Sequence, residues 1–384
     1  MGKKIGVLTY TREYANIGTN MQSYCTLKAV QRAYPDDRVE LVNYSGWKPA
    51  MRPYLSQVSL KSLWYDLVRI LKYKKFFREE LVFGKESLIS DDLQKSLAFI
   101  RDQNYDAIYV GSDTLLELTR AHKDELTAYW LDDTIPSKKF LLAASALNVT
   151  FEGITEKQKA AMQKTVDDYR LLGVRDAVTH RLIASFTKPG DNRLSTIPDP
   201  TFAYDIDHSY VEKYFEKKKL KINKPMVCLH LLRDTTWATE LADMFRKEDY
   251  IVASLRPARY ADIIFTDLSP FEHVGLYKYF ELVITHRFHD SIFCIKNLTP
   301  VIVFPERIHD VTAHGESKNA TLFKSFNIDK LNYIPNKNTI TAEYLVSIYK
   351  DAIKSFKDNE EFIKKRLKKN REEYEGFIAD SKNR

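Results

Sequence analysis

With 384 residues, the chain is long enough for two domains that each bury their own core. Its composition, with 44% hydrophobic, 12% aromatic and 29% charged residues, is that of an ordinary soluble globular protein. No apolar run reaches about 18 residues, and the start MGKKIGVLTY lacks a long apolar stretch. Neither a membrane span nor a signal peptide is therefore predicted, and the expected location is the cytoplasm.

The charge and the cysteines narrow the classes of partner. A net charge of +7 favours anionic partners, which include phosphate ligands, a lipid surface and nucleic acid. No nucleic-acid-binding module is recognisable and the positive charge is dispersed, so nucleic acid is not an expected partner. Cys25, Cys228 and Cys294 lie far apart in apolar segments, which predicts buried thiols and not a disulfide framework or a metal site.

Short apolar strands alternate with helical patterns in the first half of the chain. The strand segments are KIGVLTY (4–10), VELVNY (39–44), AIYVGSD (107–113), KFLLAAS (139–145) and LLGVRD (171–176). Because parallel strands are usually joined by helices, this alternation predicts a doubly wound, Rossmann-like domain over residues 1–205. The region 45–104 is longer than such a connection needs, and it predicts a helical insertion.

One helix of this domain has a clear start signal. Thr155 can cap a helix predicted over about 155–169, and Gln158 can return the bond as a capping box. The helix leads into the strand that ends at Arg175. Since open α/β sheets bind ligands beyond the carboxyl ends of their strands, Arg175 is a candidate ligand-binding residue.

The first loop, YANIGTNMQSY (14–24), joins a strand to a helix through Asn16, Gly18 and Asn20. A glycine lets the backbone approach a ligand closely, and a helix start offers free amide hydrogens to an anion. An ordinary turn is the alternative, because glycine and asparagine are common turn formers. The loop matches neither the dinucleotide fingerprint nor the phosphate-binding P-loop, so nucleoside triphosphate binding is not predicted.

Two further motifs close strands with small or rigid residues. In VGSD (110–113), Ser112 and Asp113 are candidate ligand residues, and the alternative for Asp113 is a helix cap. In PDPT (198–201), Pro200 forces Asp199 out of the helical region. The second motif therefore indicates rigidity more than function.

The composition changes after residue 205, where a polar helix and a lysine-rich linker indicate a hinge near 205–225. A second series of strands follows: MVCLHLL (226–232), IVASL (251–255), ADIIF (261–265), ELVIT (281–285) and TPVIVF (299–304). This series predicts a second Rossmann-like domain over 206–340. The tail, 341–384, is helical and highly charged, and could pack back across the hinge.

The stretch LVITHRFHDSIF (282–293) runs from a buried strand into a helix through charged residues. Arg287 and His289 therefore lie in a strand-to-helix loop at the ligand edge of the second sheet. The planar fork of arginine suits a phosphate or carboxylate, and histidine moves its proton near neutral pH. A histidine with an ordinary structural hydrogen bond is the alternative. His286 and His289 have a metal-like spacing, but without a third ligand nearby no metal is expected.

Taken in order, these segments resemble the polysaccharide pyruvyl transferase family. The resemblance rests on NIGTNMQSY (16–24), YDAIYVGSD (105–113), AAS (143–145), GVRD (173–176), IPDPTF (197–202) and ITHRFHDSIFCI (284–295). It covers residues 4–310, and its most specific part is the strand, the Arg-apolar-His loop and the following helix.

The resemblance implies two Rossmann-like domains arranged as in GT-B glycosyltransferases, with the active cleft between them. It also implies transfer of the carboxyethylidene group of phosphoenolpyruvate, the donor substrate, to two hydroxyls of one sugar, with release of phosphate. Arg175, Arg287 and His289 would surround the donor, and Phe288 would contribute its backbone. His289 is the candidate general acid or base. The arginines would neutralise the donor, so no metal or other cofactor is expected.

The chain departs from the family pattern at two places. Asp290 stands where the family usually has glycine, which indicates either a helix cap or altered chemistry. Thr114 and Leu116 stand where a subfamily has glutamine and tryptophan, which removes a polar group and an aromatic ring. Both departures bear on the choice of acceptor and on activity.

The acceptor site is less defined. Sugar sites favour aromatic platforms, and the candidates are Trp47, Tyr54, Trp64 and Trp237, although aromatic residues of this kind are more often core residues. His230 and Arg233 follow the first strand of the second domain and are candidates for the cleft by position alone. The segment LWYDLVRILKYKKFFR (63–78) predicts a basic amphipathic helix. Such a helix either packs on the domain or lies on the inner face of an anionic membrane beside a lipid-linked acceptor.

Three functions remain open from the sequence. The first is the ketal-forming pyruvyl transferase of exopolysaccharide or capsule assembly. The second is a GT-B-like glycosyltransferase that uses a nucleotide sugar. The third is a non-catalytic relative that binds sugar phosphates, consistent with the residues at positions 114 and 290.

Overall fold

The chain forms two compact units, as a computed structural model shows. The structure describes residues 2–11, 16–46, 63–118, 121–146, 149–231, 235–305 and 317–384. Unit 1 comprises the described residues up to 46 with those of Lys75–Tyr204 and Lys369–Arg384, and unit 2 comprises residues 63–74 and those of Asp205–Lys368. The break after Tyr204 follows the PDPTFA segment, and the tail predicted over 341–384 is divided between the two units.

Unit 1 is built on a six-stranded sheet, in which the strands stand in the order β2 (Arg38–Leu41), β1 (Lys4–Leu8), β5 (Ala107–Val110), β6 (Lys138–Ala144), β7 (Tyr169–Val174) and β8 (Leu194–Thr196). All the neighbouring strands in this sheet are parallel. Its elements along the chain, with α2 shared between the units, are β1 (Lys4–Leu8), α1 (Ile17–Ala33), β2 (Arg38–Leu41), β3 (Tyr44–Ser45), α2 (Leu63–Glu80), β4 (Leu88–Ile89), α3 (Leu93–Asp102), β5 (Ala107–Val110), β6 (Lys138–Ala144), α4 (Glu156–Asp168), β7 (Tyr169–Val174), α5 (Ala177–Ala184) and β8 (Leu194–Thr196).

Local signals explain where the helices of unit 1 begin. The capping box predicted at Thr155 and Gln158 is confirmed. Asn16 caps α1 by accepting a hydrogen bond from the backbone amide of Thr19, so that helix begins at Ile17. Gly18 and Asn20 therefore lie buried in the first turn of α1, and their prediction as loop residues was wrong.

Unit 2 is built on a five-stranded parallel sheet, in which the strands stand in the order β11 (Ile263–Ile264), β10 (Ile251–Ser254), β9 (Met226–His230), β12 (Leu282–Thr285) and β13 (Val301–Val303). Its elements, with α13 shared between the units, are α6 (Ser209–Lys218), β9 (Met226–His230), α7 (Thr236–Lys247), β10 (Ile251–Ser254), β11 (Ile263–Ile264), α8 (Pro270–Leu276), β12 (Leu282–Thr285), α9 (Phe288–Lys296), β13 (Val301–Val303), α10 (Lys318–Ser325), α11 (Asp329–Asn332), α12 (Ala342–Asp358) and α13 (Glu360–Lys382).

The two central strands of the second sheet, β9 and β12, end side by side. β9 and β12 are neighbours and are fully buried, as expected for parallel strands that helices cover on both faces. Their last residues, His230 and Thr285, are register partners. Side chains that follow these two strands therefore begin at the same edge of the sheet, where doubly wound folds bind ligands.

Candidate active site

The turn between β12 and α9 carries Arg287. Its backbone amide donates to Thr285 Oγ1 over 3.1 Å, which holds the turn against the end of β12. Its side chain makes no capping bond, and within the described part of the chain its buried Nε atom has no hydrogen-bond partner. A guanidinium at a strand end with a donor left unused is suited to bind an anion.

Beside this turn, two buried side chains form a close pair. His230 Nδ1 lies 2.6 Å from Asp290 Oδ2, and the two residues are 3% and 0% exposed. Thr285 Oγ1 donates to the same carboxylate oxygen over 2.8 Å. Asp290 therefore joins the ends of β9 and β12 from the first turn of α9. Its predicted alternative as a helix cap is wrong, because its carboxylate is bonded to these side chains and Arg287 occupies the cap position.

The surroundings determine the charges of this pair. Burial by itself would raise the pKa of Asp290, but His230, through its hydrogen bond and through its charge when protonated, holds that pKa well below its usual range, and Arg287 and protonated His273 act in the same direction. Burial lowers the pKa of His230, with Arg287 also lowering it and Asp290 opposing. Near neutral pH, the pair is therefore a carboxylate that accepts the Nδ1 proton of a neutral imidazole.

Two further titratable groups come from α8 and the turn after it. His273 Nε2 lies 3.4 Å from the hydroxyl of Tyr277. Burial lowers the pKa of His273 to about 3, although the charge of Asp290 opposes this shift. Burial, together with the charge of Asp290, raises the pKa of Tyr277 well above its ordinary value. Both side chains are therefore neutral near pH 7 and lie within the electrostatic reach of Asp290.

The first part of α2 brings a second guanidinium to unit 2. Lys72 anchors the helix through an ion pair of 2.7 Å to Glu272 in α8. One turn earlier, Arg69 Nη2 donates to Asp66 over 2.6 Å, while the buried Arg69 Nε has no hydrogen-bond partner among the residues described. Burial raises the pKa of Tyr73 to about 12, and the charges of Arg69 and Arg287 both act against this shift. The two guanidinium groups therefore act on the same buried hydroxyl.

A comparison with protein-family models shows to which family the chain belongs. The model of the polysaccharide pyruvyl transferase family matches residues 16–306, which include most of the chain, the second sheet and every strand of the first sheet except β1. The chain belongs to the polysaccharide pyruvyl transferase family. The family is one of transferases, and the matched residues include Arg287 and its neighbours. No protein of curated function matches the chain.

Solved structures identify the fold class of this family member. A UDP-GlcNAc 2-epimerase from Methanocaldococcus jannaschii matches with a TM-score of 0.54 and 12% identity, over 90% of this chain and 92% of that one. A UDP-GlcNAc 2-epimerase from Neisseria meningitidis, solved with UDP-GlcNAc, matches with a TM-score of 0.52 and 9% identity, over 99% and 98%. At such low identity, the likeness shows only the fold, which is that of the GT-B class with two Rossmann-like domains. The predicted fold class is thus confirmed.

The Arg-apolar-His loop of the family lies at the start of α9. Phe288 and His289 are the first two residues of the helix, and both are partly buried. The ring of His289 contacts the rings of Phe288 and Phe293 at centroid distances of 5.4 and 6.3 Å. Arg287 thus lies between the strand and the helix as predicted, whereas the prediction that His289 and Asp290 lie in the loop was wrong, because the helix already begins at Phe288. The roles of Arg287, Phe288 and His289 in binding and catalysis stay predictions.

Arg175 lies in unit 1, directly after β7, and its side chain is only 6% exposed. Its Nη1 atom pairs with Asp199 Oδ2 at 3.0 Å. The same oxygen accepts a bond of 2.7 Å from Gln22 in α1, and the other oxygen accepts from Thr201. Arg175 is thus held by an internal carboxylate, and its role towards the donor stays a prediction. Asp199, interpreted from the sequence as a rigid turn residue, is the centre of this network.

The remaining candidates of unit 1 surround the ends of β1 and β5. Asp113 accepts from Thr19 Oγ1 over 2.8 Å and from the amide of Thr114 over 2.7 Å. The described residues that directly follow Asp113, 114–118, are not helical, so its alternative as a helix cap is wrong. Ser112 is fully buried, its carbonyl accepts from Thr9 over 3.0 Å, and its Oγ has no partner in the described part of the molecule.

Several acceptor candidates cannot be placed. Arg233, Trp47 and Tyr54 lie outside the described residues, as does the side chain of Trp64. Trp237 packs against Phe304 at the edge of the core of unit 2, with a centroid distance of 6.1 Å. Its role towards the acceptor stays a prediction.

The described residues contain no cluster of three side chains that could hold a metal ion. None of their helices, the basic α2 included, is long and apolar enough to cross a membrane.

Proposed function

We propose that the chain transfers the carboxyethylidene group of phosphoenolpyruvate to two hydroxyls of one sugar in a polysaccharide or lipid-linked oligosaccharide, which forms a pyruvate ketal and releases phosphate. The family supports the reaction class. The observation that carries the proposal is Arg287, whose buried Nε lacks a partner among the described residues at the ligand edge of β12. The donor is an anion of the kind that this guanidinium can bind.

The charges of unit 2 favour such a donor. Phosphoenolpyruvate carries a carboxylate and a phosphate, so two cationic forks can each bind one group. Arg287 is the first fork. Arg69 is the second that unit 2 offers, since its Nε is also buried and unbonded within the described residues. These guanidinium groups neutralise the donor, so the scheme needs no metal or other cofactor.

The reaction is balanced in protons and charge. The methylene carbon of the donor gains one proton and becomes a methyl group. Two bonds form between C2 and the sugar oxygens, and the bond between C2 and the phosphate oxygen breaks. The two sugar hydroxyls each lose a proton. One of these two protons balances the proton that the methylene carbon gains, and the other leaves with hydrogen phosphate. His289 is proposed as a general acid or base for one of these transfers, a role worth roughly 10²- to 10⁴-fold in rate.

Phosphate release from phosphoenolpyruvate, measured with a panel of galactosides, glucosides and mannosamine derivatives, tests the proposal. Arg287→Ala and His289→Ala should each abolish release while circular dichroism and the melting temperature stay unchanged. Arg78→Ala is the matched control, because this side chain is 76% exposed and lies in unit 1. Full activity in both site variants would contradict the assignment.

Assays with nucleotide sugars in place of phosphoenolpyruvate test the two alternative functions, a glycosyltransferase and a non-catalytic relative. Release of a nucleoside diphosphate would show a glycosyltransferase. Binding of sugar phosphates without release of either product would show a non-catalytic relative. Among active acceptors, a strong preference for a lipid-linked oligosaccharide over its free glycan would support a role in exopolysaccharide or capsule assembly at the inner face of the membrane.

A further inference from the structure

The pair of His230 and Asp290 has a geometry that differs from that of His289. The ring of His289 contacts aromatic rings, whereas His230 shares a contact of 2.6 Å with a buried carboxylate. Thr285 donates to the same carboxylate oxygen, which fixes its position from a second side. An imidazole with one nitrogen held in this way has a defined tautomer, in which Nδ1 carries the proton and Nε2 carries the lone pair.

The position of the pair connects it to the proposed donor site. His230 is the last residue of β9, in register with Thr285, and Thr285 holds the backbone amide of Arg287. The pair therefore lies at the strand edge that carries the proposed anion-binding guanidinium. The charge of Arg287 acts on both members of the pair.

The proposed reaction needs more than one proton transfer. Two hydroxyls each lose a proton, and the methylene carbon gains one. A single imidazole carries one exchangeable proton in its neutral form and one more as a cation, so one residue could serve the separate steps only in turn. A second histidine of fixed tautomer would let one group donate while the other accepts.

We propose that His230 is a second catalytic residue, which accepts a proton from an attacking sugar hydroxyl at Nε2, and that Asp290 is its positioning residue. This inference rests on the proposed function. As the hydroxyl oxygen forms its bond to C2, its proton passes to Nε2. The resulting imidazolium keeps its Nδ1 proton on Asp290, whose carboxylate stabilises the new charge. The proton then leaves with hydrogen phosphate, which returns the imidazole to its neutral form.

The competing explanation is a buried pair that only joins β9 to β12. Both explanations predict some loss of stability when one partner is removed, because the other is left buried without its bond. A pH profile separates them. The groups that act on the pair, besides each other, are Arg287, His286, His273, Tyr277, Cys228 and Cys294.

The experiment measures kcat/KM for phosphate release against pH in the full-length wild type and in Asp290→Asn. The amide can still accept the Nδ1 hydrogen, but it lacks the charge that raises the pKa of His230. Since the base must be neutral to act, activity falls below its pKa. The acid limb of the profile should therefore move to lower pH in Asp290→Asn, and the maximal rate should fall at least tenfold. An acid limb that stays in place would overturn the positioning role.

Two further variants test His230 itself. His230→Gln should lose about 10²-fold or more of kcat with little change in the binding of phosphoenolpyruvate. If this variant fails to fold, the double variant His230→Gln with Asp290→Asn provides the test, because it replaces the pair by two neutral amides that can bond to each other. His122→Gln, an exposed histidine, is the control. Wild-type kcat in a folded His230 variant would overturn the catalytic role.

Phosphate release by the wild type distinguishes a failure of the proposed function from a failure of the catalytic role of His230. No phosphate release from any acceptor would refute the proposed function and, with it, the catalytic role of His230. Release by the wild type together with full activity of the folded His230 variants would refute only the inference about His230.

Discussion

Replacing Arg69 by glutamine tests whether the donor site uses a second guanidinium from unit 2. A hydrogen bond to a charged group contributes about 1.5 to 3 kcal/mol. The side chain of Arg69 is 24% exposed and already bonds Asp66 through Nη2, so the lower end of this range applies. About 1.5 kcal/mol corresponds to a roughly tenfold increase in the Kd of phosphoenolpyruvate. Calorimetric binding measures this increase directly, and KM from phosphate release should follow it with a smaller effect on kcat.

Two companion variants make the test specific. Arg78→Gln changes an arginine of the same helix that is 76% exposed, and should leave Kd unchanged. Asp66→Asn removes the carboxylate that competes for Arg69, so it should strengthen binding of phosphoenolpyruvate. Unchanged affinity in both Arg69→Gln and Asp66→Asn would show that Arg69 does not contact the donor.

Three other predictions concern single residues. Arg287→Lys keeps the charge but loses the planar fork, so phosphate release should fall about tenfold or more, and an unchanged rate would argue against a bidentate contact. Gly111→Ala places a Cβ atom 1.8 Å from the carbonyl oxygen of Leu142 at a φ of +146°, so the free energy of unfolding should fall by about 3 kcal/mol or more, as thermal melts would show. His273 is neutral in the fold, with a pKa of about 3, but titrates near 6.5 when unfolded, so the unfolded state binds more protons between these values. Wild-type stability should therefore fall as pH drops through this window in urea titrations, and His273→Gln should show a shallower slope; equal slopes would refute the assignment.

Local patterns in the sequence predicted the elements and the place of the main candidate. The apolar strand LVIT followed by charged residues predicted that Arg287 lies where β12 meets α9, and the structure confirms this position. The capping box at Thr155 was predicted for the same reason, since both of its bonds join residues three apart. Signals of this kind depend on neighbours within one turn or one strand, so a single sequence contains them in full.

Contacts between distant segments could not be predicted in this way. His230 and Asp290 are 60 residues apart and meet only because β9 and β12 are adjacent in the sheet. Neither periodicity nor spacing encodes this strand order. The same reason explains why Arg69, assigned from the sequence to a basic helical surface, was not associated with Arg287. At α1 the local signal was present but was missed, since Asn16 is a preferred cap residue.

The departure from the family pattern at position 290 is best understood as one half of a pair. A buried carboxylate is unfavourable unless hydrogen bonds and an opposite charge accompany it, so an aspartate cannot replace the usual glycine without partners. Here His230 and Thr285 supply those partners from the ends of two neighbouring strands. Restoring glycine by Asp290→Gly would therefore not restore a family-like site, because it would leave Nδ1 of a buried imidazole without its acceptor. The aspartate and His230 must be changed together, and relatives with glycine at position 290 should lack the carboxylate-bound histidine that this chain has.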